Sequence, residues 1–558
     1  MNRALVTAIA RPADLPLRGA TAGRVRAWAA AWWREAVPFA GVAALALTLR
    51  LADISVRPLH HDESEHAWFA WRLVTGHGYQ YNPIFHGPVQ FYLISLMYLL
   101  FGITDAVVRV APVLMGTIVV FLPFFLRRQL GRGAALVCSV LLCLSPSFLY
   151  FSRFAREDIY VLCVTFGIVV VLIRFLAEPR RWHPAAFLGL LAVSFATKET
   201  TYITVFILGL FLAGAIGVQT LRARRAGRGW LDGEIVHGAV SLGRDAWLWG
   251  VSVFLAVYTL LFSTFFTNPG GLKEGIVGSI RYWLSQQPVN RGGSPWFYYL
   301  ILMPAYEWPI LLLGLAGVVV ALRRPTTIRL FLVWMAFASI VVFSWASERM
   351  PWLIIHPLLP LALLAGIGAQ SLWAVRRRLP AKAALGVIGV LGLASVYFAV
   401  EASYLRAADP RELLVQVQTA NDVPVIRDEL MRLEAYSQRT TGHPLGVQVD
   451  SWGGTGWPWS WYLRDVPVNF YDMSGPLAFP PAQAVLVADP NHATMAPKLK
   501  GYVAHKFHLR VWWVPDWGAA GSRDWLRWVV HRTAWSPTAT MDEWLYLKPS
   551  LARVAARN

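Results

Sequence analysis

The segment PLHHDESEHAWFAW, residues 58–71, sets Asp62, Glu63 and Glu65 among His60, His61 and His66, directly after an apolar run. Ionisable side chains at a membrane boundary are costly unless they pair, hydrate or coordinate something. A carboxylate there can serve as general base toward an acceptor hydroxyl, or as ligand to a divalent metal. If residues 61–72 are helical, Asp62 and His66 share one face at i, i+4, as do His61 and Glu65. The structural alternative is a solvated interfacial helix whose acids cap its own N-terminus.

Four further motifs hold ionisable groups. SRFARED (152–158) places Arg153, Arg156, Glu157 and Asp158 at the start of an apolar run. The helix dipole accounts for the two acids but not for the arginines, whose planar, permanent charge suits phosphate or carboxylate. TKET (197–200) holds Lys198 and Glu199 between two runs with almost no loop, as a buried ion pair or as a lysine aimed at a phosphate. SERMPWLIIHPLLP (347–360) offers Arg349 and His356 at a proline-rich helix start. Cations beside lipid suit the phosphate of an amphiphile whose tail lies between helices. His86, in FHGPVQ (85–90), opens a short apolar segment beside a Gly-Pro. The chain has no P-loop, dinucleotide-binding glycine fingerprint or serine-nucleophile elbow, and the zinc-type spacing in HHDESEH is imperfect.

The elements that must position these groups are membrane helices. Of 558 residues, 56% are apolar and only 15% charged, against about 25% in soluble domains. Long apolar stretches recur from residue 37 to 404, the pattern of a polytopic α-helical membrane protein. The net charge of +19 does not imply nucleic-acid binding, because the arginines form short clusters between apolar runs. The clusters are Arg127, Arg128 and Arg132; Arg180 and Arg181; Arg222, Arg224, Arg225 and Arg228; Arg323 and Arg324; Arg376, Arg377 and Arg378.

Loops of this kind are held on the cytoplasmic side. All clusters fall there, with the basic tail 1–36, if 87–102 lies along the interface and the chain spans the membrane eleven times. The spans are then near 37–54, 106–126, 134–151, 158–176, 185–197, 201–218, 246–266, 296–321, 328–346, 352–373 and 383–404. The same topology gathers all the polar motifs, and the long loop 267–295, on the opposite, outer face. The 1–36 tail lacks the apolar core and cleavage site of a signal peptide. Cys138, Cys143 and Cys163 lie inside apolar runs, as small buried hydrophobes.

Residues 405–558 change character. Strand-like runs at 445–450, 466–472 and 484–490 alternate with helical patterns at 423–437 and 523–532, which predicts an outer α/β domain. Its Trp452, Trp457, Trp459 and Trp461 suit core packing or membrane contact better than a sugar platform.

Together these motifs resemble the GT-C class of membrane glycosyltransferases over nearly the whole chain. The pattern is similar to the family 39 protein O-mannosyltransferases and aminoarabinose transferases, with Asp62-Glu63 as the "DE" pair after the first span and HGPVQFY (86–92) as a variant of the His/Lys-Pro-Pro segment. HHDESEHAWFAW, SRFARED, TKET, ERMPWLIIHPLLP and WYLRD look closer still to a prokaryotic, flippase-activity-associated branch. The resemblance implies a prokaryotic plasma-membrane enzyme that moves a sugar from a polyprenyl-phosphate donor to an extracytoplasmic acceptor, with inversion. It implies Asp62 as base or orienting group, with Glu63 supporting it, and Arg156, Lys198, Arg349 and His356 toward the donor phosphate. His61, His66, His86, Arg153, Asp158 and Glu199 stand as further candidates. The family 39 pattern implies no required cofactor. The extra histidines leave room for a divalent metal at Asp62, His66 and Asp158, as in metal-dependent oligosaccharyltransferases. A flippase or flippase partner, handling lipid-linked sugar without transfer, is the main alternative.

Overall fold

The computed structural model describes residues 22–286, 293–475 and 482–556. Helix α1 (Ala22–Leu51) leads into α2 (His61–Val74) and α3 (Val89–Phe101). Among the described residues, seven helices are long and apolar enough to cross a membrane: Asp105–Leu126, Glu157–Ala177, Thr200–Arg225, Arg244–Phe262, Thr327–Trp345, Pro351–Ala374 and Leu379–Leu405. An eighth span arises if Tyr298–Tyr306 and Trp308–Arg323, bent by 110° at Glu307, count as one.

The expected count of eleven is therefore higher than the number of long apolar helices. The predicted span 134–151 is interrupted: Arg132–Leu144 ends at Ser145, and Pro146 starts a new helix to Phe151. The predicted 185–197 span is a helix of 13 residues, His183–Phe195. The predicted 37–54 span overlaps α1 up to Leu51, and Arg34, Glu35 and Arg50 dilute that helix's apolar character. The 296–321 span is the bent pair, whose Glu307 turns inward to accept hydrogen bonds from Ser145 Oγ (2.7 Å) and Ser147 N–H (2.9 Å). Helix α3, in the segment 87–102 expected to lie along the interface, has 13 residues, which at 1.5 Å per residue reach about 20 Å.

The helix Pro351–Ala374 is the axis of the bundle, 94% buried over its apolar window, whereas Thr200–Arg225 and Leu379–Leu405 are 17% buried and turn apolar side chains outward. Outward apolar faces of this kind fit lipid, which solvates them at no cost.

The C-terminal part is the expected α/β unit, with a six-stranded sheet in the order β1-β5-β6-β4-β2-β3. The strands are β1 (Gln418–Thr419), β2 (Val447–Asp450), β3 (Val468–Tyr471), β4 (Ala484–Ala488), β5 (Val503–Trp512) and β6 (Ala539–Leu547). β2 is parallel to β3 and β4, and the other pairs are antiparallel. Helices Asp422–Thr441 and Ser522–His531 match the two helical patterns. The sheet unit is bolted to the membrane unit. Leu59 N–H donates to the Tyr462 hydroxyl (2.9 Å), Trp461 Nε1 to Asp105 (2.7 Å) and Arg57 to Gln418 Oε1 (3.0 Å). Trp459 and Trp461 are fully buried, as core packing predicts.

Candidate active site

Helix α2 begins where its cap dictates. His60 Nδ1 accepts from Asp62 N–H (3.1 Å), and Glu63 Oε2 accepts from His60 N–H (2.9 Å), a reciprocal capping box. The box places Asp62 and Glu63 on different sides of the first turn, and their surroundings diverge completely.

Glu63 is fully buried. Arg109 grips it through Nε (2.9 Å) and a terminal nitrogen (2.7 Å), Ala155 N–H donates to it (2.9 Å), and Arg57 lies at 3.6 Å. Burial alone would push its carboxyl up, yet Arg109 and Arg57 hold it well below the usual carboxylate range. With no open face it cannot touch a substrate. Glu63, a catalytic candidate in the sequence, is instead enclosed and joins α2 to the Asp105–Leu126 helix and to the turn before Glu157.

Asp62 keeps 21% of its side chain exposed and forms a close ion pair with Arg156. His61 Nε2 is 3.1 Å away. Arg156 precedes the helix Glu157–Ala177, lies over the Trp352 ring (4.0 Å) and also donates to Asp158 (3.2 Å). Asp158 in turn accepts from Lys198 Nζ (2.7 Å), with His356 Nε2 at 3.9 Å. Glu157 accepts from Gln90 Nε2 (2.6 Å) and pairs with His66 Nε2 (2.9 Å), while His66 Nδ1 donates to Ala155 C=O (2.8 Å). Burial opposes a charged His66, but Glu157 outweighs it and lifts the imidazole to about 9. His86 and Glu199 behave alike: a 2.6 Å contact, with Glu199 overcoming burial to raise His86 to about 9.

The FHGP and TKET motifs meet at Gly87. Gly87 N–H donates to Thr197 C=O and Val89 N–H to Ala196 C=O, both at 3.1 Å. A Cβ on Gly87 would collide with the backbone of Ala196 and Thr197, so only glycine permits this approach.

The four motifs and α2 thus meet around the linked charges of Asp62, Arg156, Asp158 and Lys198. Two candidates stand apart from these carboxylates. Arg153 donates to the carbonyls of Leu49 (3.1 Å), Ala52 (2.5 Å) and Asp53 (2.7 Å), capping the end of α1. The structure places this candidate at the end of α1. Arg349 donates to Ser294 (2.7 Å) and Ala346 (2.6 Å) carbonyls and, among the described residues, forms no ion pair with a carboxylate.

The i, i+4 partnership of Asp62 and His66 does not form, because His66 turns to Glu157. The metal set Asp62, His66 and Asp158 is not assembled either. His66 has both nitrogens engaged, and Asp158 is neutralised by Lys198 and Arg156. Among the described residues the donors that converge within 4.8 Å of one another are His60, His61 and Asp62. His60 fits poorly, with Nδ1 accepting from Asp62 N–H and Nε2 donating to Gln416 C=O (2.9 Å). His61 fits better: Nδ1 donates to Val417 C=O (3.2 Å), leaving Nε2 toward Asp62. A cation at Asp62 would have to displace Arg156.

Several contributors carry no local signal. Arg57 and Arg109 come from ordinary-looking turns, and Gln90 from an apolar helix. Trp352 sits inside a motif singled out for Arg349. From the segment before β1 come the Gln416 and Val417 carbonyls and, on β5, the buried Arg510, whose guanidinium burial brings down to about 10. Glu65 makes no hydrogen bond or ion pair among the described residues, and burial raises its carboxyl, with the His66 charge partly offsetting this.

Comparison with known proteins agrees with this architecture. Residues 85–226 match the profile of the family described as dolichyl-phosphate-mannose-protein mannosyltransferase. No curated protein matches the chain. The chain is a membrane protein of the GT-C glycosyltransferase fold, similar to family 39. The particular likeness is to ArnT from Cupriavidus metallidurans. Its structure bound to undecaprenyl phosphate has a TM-score of 0.58 at 18% identity, covering 91% of this chain and 98% of ArnT. The apo form has a TM-score of 0.58 at 17% identity, covering 94% and 99%. The Archaeoglobus fulgidus oligosaccharyltransferase complexed with Zn and sulfate gives a TM-score of 0.48 at 14% identity, over 77% of this chain and 62% of that one.

Proposed function

We propose that the protein transfers a sugar from a polyprenyl-phosphate donor to an acceptor hydroxyl outside the cell, with inversion at the anomeric carbon. The arginine-cluster face is cytoplasmic, and the cleft and sheet unit face outward. The observation that carries the reading is the pairing of one partly exposed carboxylate, Asp62, with a guanidinium, Arg156, in a cleft that also holds Lys198. The ArnT structure, of the same fold, holds undecaprenyl phosphate, which supports a lipid-phosphate donor.

Arg156 links the two halves of the chemistry. Without donor it neutralises Asp62. A donor phosphate competes for the guanidinium, with the charges of Lys198 and Arg349 assisting, and frees Asp62 to accept a proton. The acceptor oxygen then bonds to the anomeric carbon, the bond from that carbon to the phosphate oxygen breaks, and the acceptor proton passes to Asp62. Polyprenyl phosphate leaves with the bonding electrons, its charge stabilised by the cations. Glu63 and the capping box hold Asp62 in place.

A second reading, a metal-dependent transferase, rests on the convergence of His61 Nε2 and Asp62. Purified wild type and Asp62→Asn, assayed for transfer from a polyprenyl-phosphate sugar with and without chelator, separate the readings. Base catalysis predicts loss in Asp62→Asn and indifference to chelator; chelator-sensitive transfer supports the metal reading. Donor binding without transfer to any of a broad acceptor set refutes both and favours a flippase-associated role.

A further inference from the structure

Helix α2 carries a third carboxylate that the transfer chemistry leaves unused. Glu65 follows His61 by four residues and Asp62 by three, so it lies on their side of the helix. It is half-buried and, unlike Asp62 and Glu63, bonds to nothing among the described residues. The charges of His66, His86 and Arg510 act on it from around it, yet none forms an ion pair with it.

The surface opposite comes from the sheet unit. Trp68, one turn beyond Glu65, meets Trp457 edge to face with ring centroids 5.9 Å apart. The carbonyls of Gly454 and Trp457 accept hydrogen bonds from one terminal nitrogen of Arg510, at 2.6 and 3.0 Å. Those bonds fix the β5 guanidinium beside α2. Arg510 is 7% exposed, yet its Nε has no hydrogen-bond partner, and it forms no ion pair among the described residues. Glu543, on the neighbouring strand β6, does not neutralise it: burial lifts that carboxyl to about 8, so it stays largely protonated at neutral pH.

A carboxylate and a guanidinium drawn from water without bonding to each other are left uncompensated. The group that satisfies both must donate to Glu65 and accept from Arg510, as two neighbouring hydroxyls of a sugar ring do. Trp457 adds an aromatic surface beside them. It is half-buried, whereas Trp459 and Trp461 of the same motif are fully enclosed as core. Arg510 and Trp457 belong to the sheet unit, while Arg156 and Lys198, the cations assigned to the donor phosphate, bond to Asp158 among the membrane helices.

We propose that Glu65 and Arg510 bind the acceptor, and that the acceptor is a carbohydrate whose neighbouring hydroxyls bridge the two charges while its ring rests against Trp457. The inference rests on the transfer reading and assigns the acceptor within it.

The test uses the full chain in detergent with a polyprenyl-phosphate sugar donor. The acceptors are trisaccharides of mannose, glucose and galactose, and a Ser/Thr-rich peptide. Glu65→Gln removes a charge that bonds to nothing, so its unfolding temperature should not fall below wild type. Transfer to at least one trisaccharide is expected. Glu65→Gln should raise the acceptor KM about tenfold, the equivalent of one hydrogen bond to a charged group, with the donor KM unchanged. Arg510→Lys, which cannot hold two carbonyls as a fork, should raise the same constant, with unfolding as its folding control. Saturation-transfer NMR of the trisaccharides without donor reads binding apart from chemistry, and Glu65→Gln should weaken it about tenfold. Transfer to the peptide alone, or an acceptor KM that Glu65→Gln leaves unchanged, overturns the proposal and leaves the transfer reading intact. A wild type that binds none of the trisaccharides also overturns it. Glu65-dependent binding without transfer sinks the transfer reading and leaves a carbohydrate site standing.

Discussion

Replacing Glu63 by glutamine tests whether this carboxylate holds the site or acts in it. The substitution preserves volume but removes the charge that Arg109 and Arg57 share, and leaves Arg109, itself 1% exposed, without a counter-ion. The new amide also directs N–H groups at a donor-only guanidinium. Removing one partner of a buried pair costs about 3–5 kcal/mol. Nothing nearby offsets the loss, because the other Arg109 contacts, to the carbonyls of Ile54, Arg57 and Pro58, are already made. A large drop in the thermal unfolding temperature in detergent is expected, followed by intrinsic tryptophan fluorescence. Transfer should survive at low temperature to the extent that the protein stays folded. Since the folded carboxyl is held well below its ordinary value, its stabilisation is fully present above about pH 4.3 and is lost as pH falls below that toward the folded value. The wild-type advantage over Glu63→Gln should therefore shrink on acidification. Asp62→Asn, at a side chain 21% exposed, should unfold close to wild type and transfer nothing. A Glu63→Gln protein as stable as wild type yet inactive would refute the division of labour between these neighbours.

Arg156→Lys keeps a charge but cannot bridge Asp62 and Asp158 as a planar fork, so donor affinity should fall about tenfold or more, read by donor-concentration dependence of transfer. Arg153→Gln should leave donor affinity unchanged and lower the unfolding temperature, since it caps α1. His66 and His86, raised to about 9 from an ordinary value near 6.5, contribute stability that is fully present below about pH 6.5 and lost as pH rises through 9. The unfolding temperature should fall over that range, and His86→Gln should flatten part of the slope. Gly87→Val should separate the His86 and Lys198 loops and depress transfer more than stability, measured by transfer against unfolding temperature.

The motifs at 60–66, 152–158, 197–200 and 347–352 were legible as one polar face because arginine clusters alone divide the loops into two sets. Legible too were the strands β2, β3 and β4 and the helices Asp422–Thr441 and Ser522–His531, each a short run with its own periodicity. β5 and β6 were not, since VAHKFHLRVW and ATMDEWLYL alternate weakly and draw their identity from each other. Among the described residues seven or eight helices are long and apolar enough to cross a bilayer, against eleven expected spans, because apolarity marks a helix without stating its length. Pro146 and Glu307 break two of the expected spans.

The residue types, their spacing and the charge asymmetry of the loops marked by themselves a membrane protein and a set of ionisable motifs, with Asp62 and Glu63 among them. Only the tertiary structure decided which of the two is open. Adjacent residues on a helix point about 100° apart, so one turns to solvent and Arg156 while the other turns inward. The inward one meets Arg109, 46 residues along the chain, and the histidines beside it are held by Gln416 and Val417, 356 residues away. Partners at such separations leave no trace in a local pattern, and burial, which sets whether a carboxylate bonds or reacts, is a property of the packed chain.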